Sequence, residues 1–165
     1  MIRPLLAALA AALAVAPPLA AQSAADNGPA EAFETIASWQ GRWQVAETTA
    51  LTIVFEVTAR GSTIVERWET AAGLYSMNVY HRDGDAVIAT HYCPQGNQPR
   101  LEAHRVEDGT IRFAFRDVTD LDAGESHTHA LGFTAQPGGT LVRTEVYTGP
   151  EGMGDPSSYT LKRTD

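Results

Sequence analysis

The chain has 165 residues, a single cysteine, and 12 basic against 20 acidic residues, for a formal net charge of −8. An acidic chain with no basic cluster repels phosphate backbones, which argues against nucleic acid as a partner. With Cys93 alone, no intrachain disulfide can form, so the fold must rest on its core.

The first element is an expected export signal over 1–21. Arg3 supplies the positive start, Leu5 to Leu19 is an apolar run, and the small residues Ala20 and Ala21 suit a signal peptidase. Pro17-Pro18 interrupts the run, which falls short of the roughly 20 apolar residues of a bilayer span. Cleavage after Ala21 leaves 144 residues, 11 basic against 20 acidic, and a net charge of −9. The expected product is periplasmic or secreted, with no stable membrane span. A polar, Gly- and Pro-containing lead-in covers 22–30, and one domain follows over 31–165. A chain of that size buries roughly two thirds of its unfolded surface.

Ala30 to Ser38 predicts a short helix with Phe33, Ile36 and Ala37 on one side. Beyond it the hydrophobic period changes from 3.6 to 2. Leu51, Ile53, Phe55 and Val57 alternate with polar residues, as do Ile111, Phe113 and Phe115, and Val142, Thr144 and Val146 alternate against Arg143 and Glu145. Arg60-Gly61, Asp83-Gly84, Asp108-Gly109 and Gly138-Gly139 supply turns. About ten strands result: 41–49, 51–58, 62–70, 73–82, 85–92, 100–106, 110–117, 127–135, 140–148 and 157–163. Hairpin follows hairpin with no helical crossover. The predicted fold is all-β, an antiparallel up-and-down barrel of about ten strands with a short N-terminal helix.

The helix followed by Trp39-Gln40-Gly41-Arg42-Trp43 resembles the opening of a lipocalin-type (calycin) barrel, in which a G-x-W motif begins the first strand. The resemblance implies that Trp43 closes one end, with Arg163 or Lys162 packed over its indole. The chain also resembles an uncharacterised bacterial exported protein family with a lipocalin-like barrel. The matching parts are Ile64-Val65-Glu66-Arg67-Trp68, His81-x-Asp83-Gly84-Asp85, and His91-Tyr92-Cys93 followed by Gly96-Asn97-Gln98-Pro99-Arg100. That family brings no activity with it. Nitrobindin-like haem barrels share the strand plan, but their glycine-rich first strand is missing here, so the resemblance implies no haem.

Polar residues that share a strand face with apolar ones are the candidates for a site. Glu66 lies between Ile64 and Trp68; His81 continues the Tyr75, Met77, Val79 face; His127 and His129 lead into Leu131 and Phe133. If the apolar face points inward, Glu66, His81 and His129 are expected to be lumenal. For His91 both faces are similarly apolar. Two accounts compete for Glu66: a structural pair with Arg67, Arg143 or a histidine, or a polar floor orienting a ligand. Arg100 is the candidate for an anionic ligand group, because a guanidinium binds a carboxylate bidentately. Asn97 and Gln98 suit either a self-tied loop or a binding lip.

The leading expectation is a barrel that binds a small, largely apolar or amphipathic molecule. Its ligand contacts would come from Glu66, His81, His91, Arg100, His129, Trp68 and Phe113, within a cavity also walled by Phe55, Met77, Phe115 and Leu131. No catalytic residue, metal ligand or cofactor is assigned. The alternatives are a metal- or haem-binding barrel using lumenal histidines such as His127-x-His129, an enzyme with a His or Glu general base, and a non-catalytic structural domain. Cys93 close to His91 suggests a nucleophile, against the plainer account of a small core thiol.

Overall fold

A computed structural model describes residues 28–164. The expected signal over 1–21, and the lead-in as far as residue 27, lie outside the described residues. Helix α1 spans Pro29–Ala37 and buries Ala32, Phe33 and Ile36. Proline at its first position costs nothing, because that N–H has no helical partner in any case.

Twelve strands follow: β1 (Gly41–Val45), β2 (Thr52–Thr58), β3 (Thr63–Thr70), β4 (Gly73–Asp83), β5 (Ala86–Tyr92), β6 (Gln98–Ala103), β7 (Val106–Glu107), β8 (Thr110–Thr119), β9 (His127–Gln136), β10 (Thr140–Gly149), β11 (Gly152–Met153) and β12 (Ser157–Arg163). Every pairing is antiparallel. Ten strands form a closed ring, β1-β2-β3-β4-β5-β6-β8-β9-β10-β12, with β12 returning to β1. The two-residue strands β7 and β11 hang on β8 and β10.

The expected runs coincide closely with these ten strands. β1 stops at Val45 rather than continuing to 49, because the Gln44 side chain ends the strand locally. Its Nε2 donates to the carbonyls of Thr48 and Leu51, both at 2.8 Å, and so stands in for backbone partners. The Asp108-Gly109 hairpin has positive φ at both residues, +50° and +71°, the backbone a two-residue turn of this hand demands.

The helix covers one end of the ring, where it meets β2, β4, β5 and β7. Arg82, near the end of β4, lies over the Phe33 ring at 4.4 Å. Beneath the helix an aromatic layer fills the lumen: Trp39 meets Phe133 at 5.0 Å and Phe55 at 5.8 Å, and Tyr80 meets Phe113 at 5.7 Å. Trp43 Nε1 donates to the Trp39 carbonyl at 2.8 Å. Arg163 covers the Trp43 ring at 4.6 Å and donates to the carbonyls of Gln40 and Ser38, which ties the last strand to the helix end. This half of the barrel is solid.

Two strand faces differ from expectation. In β4 the buried set is Ser76, Asn78 and Tyr80, whereas Met77, Val79 and His81 are half-buried on the other face. Register explains it: β3 places Glu66 opposite Asn78 and Ile64 opposite Tyr80, so these side chains share the lumenal side. In β10 the lumenal set is Leu141, Arg143 and Glu145, and the more apolar-looking Val142, Thr144 and Val146 are half-buried outside. The middle of the barrel is therefore charged.

Candidate functional site

Glu66 on β3 is completely buried and accepts four hydrogen bonds. Trp68 Nε1 at 2.7 Å and Arg143 Nε at 2.8 Å reach Oε1; Asn78 Nδ2 at 2.9 Å and the Tyr80 hydroxyl reach Oε2. Four donors match the lone-pair capacity of one carboxylate. Arg143 also donates through Nη1 to Glu145 Oε2 at 2.6 Å, and its guanidinium carbon sits 4.5 Å from the Trp68 ring centre. Burial disfavours the Arg143 charge, but the carboxylates of Glu66 and Glu145 outweigh it and raise the pKa above the ordinary arginine value. Burial, then the Glu66 charge, lifts the Tyr80 phenol well above its usual pKa, so it remains a donor.

This network fixes the state of His91. Asn78 turns its amide nitrogen to Glu66, so its Oδ1 is the atom facing His91 Nδ1, 2.9 Å away. A carbonyl oxygen only accepts, so Nδ1 carries the ring proton and Nε2 presents a lone pair. That Nε2 is buried and has no hydrogen-bond partner. Burial first, and the Arg143 charge second, lower the His91 pKa from 6.5 to about 4, so the ring is neutral at physiological pH. A histidine in this state is a weak general base and a steady hydrogen-bond acceptor.

His91 belongs to the wall of a cavity of about 380 Å³ at the end of the barrel opposite the helix. Ser76, His91, Arg143, Glu145 and Trp68 are the buried residues of its lining, and Tyr147 and Tyr159 are half-buried beside them. Leu51, Thr70 and Tyr75 complete the lining, and Tyr75, 60% exposed, marks the mouth. Tyr75 is the extra residue of a β-bulge, since Trp68 pairs with Ser76 and Glu69 with Leu74. Burial, then the Glu145 charge, pushes the Tyr147 phenol up to about 12, and the same two causes raise Tyr159. The volume falls within the usual range for small-molecule sites. A second hollow of about 390 Å³ involves Arg112, Ala130, Gly132, Thr144 and Val146, and none of the unpartnered buried atoms belongs to it.

Of the residues singled out from the sequence, Trp68 and His91 line this cavity, and Glu66 lies behind them as the anchor of the network. Phe113 and Phe55 belong to the packed aromatic half. His81 and Met77 are on the outer face of β4, by the register described above. Arg100 is exposed and held bidentately by Asp117, both contacts at 2.6 Å. The carboxylate expected from a ligand comes instead from the neighbouring strand. His127 and His129 pack on Phe115, at 4.8 and 5.4 Å between ring centres, and neither lines the cavity. Among the described residues, no group of three or more His, Cys, Asp or Glu side chains is placed to hold a metal ion.

The loop after β5 is tied by its own groups. Cys93 and Asn97 share a backbone hydrogen bond, Gln98 donates to the Gly96 carbonyl, and Thr119 donates to Gln98 at 2.8 Å. Asn97 is fully buried and donates to Glu125 at 3.0 Å and to the Ser126 carbonyl at 3.1 Å. Cys93 is half-buried in this turn and does not line the cavity.

Glu145, Tyr147, Tyr159, Ser76 and Asn78 were not singled out from the sequence. Leu141, Arg143, Glu145 and Tyr147 do share one strand parity, and Leu and Tyr bracketing a charged pair was the available signal. No protein-family model matches the chain, and no curated protein matches it.

Proposed function

We propose that this protein is an exported lipocalin-like carrier, periplasmic or secreted, that binds a small, largely apolar molecule at the open end of its barrel. The observation that carries this reading is His91, whose Nε2 is buried without a partner and which lines a cavity together with Trp68, Tyr147 and Tyr159. A buried acceptor without a donor costs roughly 1–3 kcal/mol, and a ligand that donates to it recovers that cost. The rigid floor adds support: Glu66, Asn78 and Arg143 hold His91 and Trp68 in place before any ligand arrives. The lipocalin kinship is supported by Arg163 over Trp43, directly after a short helix. Export is supported by Arg3, the apolar run to Leu19 and the small residues that follow.

The test is binding of a neutral apolar dye such as Nile red to the purified protein, with native mass spectrometry of protein taken from the periplasm. Single-site dye binding that is lost in Ser76→Phe and in Leu51→Trp, both of which fill the cavity, is the expected result. Dye binding that survives both substitutions places the site elsewhere and ends the proposal.

A further inference from the structure

We infer that the open-end cavity selects an organic amine, its ammonium group held between His91 Nε2 and Glu145 and its apolar body set against Trp68, Tyr147 and Tyr159. This rests on the carrier reading and narrows its ligand class.

The first argument is the direction of hydrogen bonding. The chain Glu66, Asn78, His91 leaves His91, which lines the cavity, with an unpartnered acceptor rather than a donor. A ligand must therefore bring an N–H or O–H to it.

The second is charge. Two carboxylates, Glu66 and Glu145, face one guanidinium, Arg143, in the deep part of the site. Arg143 is 1% exposed, already donates to both acids and lies against the Trp68 ring. An anionic ligand would add a third negative charge against one cation whose partners are in place. An ammonium brings the site to neutrality, and buried charge is tolerated only when compensated. His91 does not oppose it, since burial and Arg143 keep the imidazole uncharged.

The third is the wall. Trp68, Tyr147 and Tyr159 line the cavity together with Glu145, and aromatic rings attract cations. Glu145, 8% exposed, supplies the charge-assisted contact that an ammonium needs when it leaves water.

The experiment compares three probes of matched size by calorimetry at pH 7: phenethylamine as cation, phenethyl alcohol as neutral donor and 3-phenylpropionate as anion. Nile red serves as an apolar reference. The amine is expected to bind at least about tenfold more tightly than the propionate, with the alcohol between them. In Glu145→Gln the amine-to-alcohol affinity ratio falls, whereas in Arg100→Ala, on the outer face, it does not change. Equal affinities, or a ratio unmoved by Glu145→Gln, overturn the amine assignment and leave the carrier reading standing. Preference for the propionate overturns it in favour of Arg143 as anchor. Failure of all four probes, Nile red included, removes the carrier reading and this one with it. If Glu145→Gln does not fold, the ranking on the unaltered protein still decides.

Discussion

Arg143 Nε lies 2.8 Å from Glu66 Oε1 in the middle of the barrel, although 77 positions separate the two in the chain. The contact joins β3 to β10 across the lumen and divides a packed aromatic half from an open polar one. Such a pair adds little net stability over a hydrophobic replacement, but breaking it strands a buried charge.

Glu66→Gln should therefore destabilise the protein by about 3–5 kcal/mol, and Arg143→Met by at least as much, because it leaves two carboxylates facing each other. The double variant should lose clearly less than the sum of the two. Urea unfolding midpoints of the four proteins give the coupling directly.

His91 makes stability depend on pH with a definite sign. Its folded pKa, about 4, lies below the ordinary 6.5, so between those values the unfolded chain takes up the proton that the folded chain refuses. The folded state is unpenalised above about pH 6.5 and loses about 3 kcal/mol as pH falls toward 4. Glu66, Glu145 and Arg143 also face this ring, but they are present in both proteins when wild type is compared with His91→Leu. The difference between the two stability curves should slope through that window, and parallel curves would refute the assignment.

Arg163→Ala should loosen the helix-covered end. It removes the cation over Trp43 and two hydrogen bonds to the carbonyls of Gln40 and Ser38, at a cost of about 1–2 kcal/mol. Arg163→Lys keeps the charge without the planar fork and should recover only part of this. Trp43 emission shifted to the red in the alanine variant checks the location.

Asn97→Ala should cost about 2 kcal/mol, since two hydrogen bonds from a fully buried amide are lost. Asn97→Asp should cost more, because it sets a second carboxylate against Glu125. Faster amide exchange at Ser126 and Glu125, with no change in β2 or β3, is the expected readout.

Strand positions and turns were legible because a period of 2 and glycine-containing turns are local properties. Arg163 over Trp43 was legible too, as part of a resemblance with a physical reason. Which face of β4 looks inward was not. Tyr75, Met77 and Val79 are more apolar than Ser76 and Asn78, and only the pairing with Glu66 reverses the choice. The candidate site shows the same limit: Arg143 was one of several possible partners for Glu66, and Asn78 and Glu145 become meaningful only once β3, β4 and β10 surround one lumen. The partner of Arg100 was hidden for a related reason, because Asp117 comes beside it only through the bulged pairing of β6 with β8.

Every pairing in the ring joins strands that are near neighbours in sequence, except that of β1 with β12. The hairpins can thus zip up in chain order, but the circle waits for the last strand, Ser157–Arg163. A stalled ribosome or a clipped C-terminus would leave β1 and β10 with unmatched backbone, two sticky borders primed for aggregation.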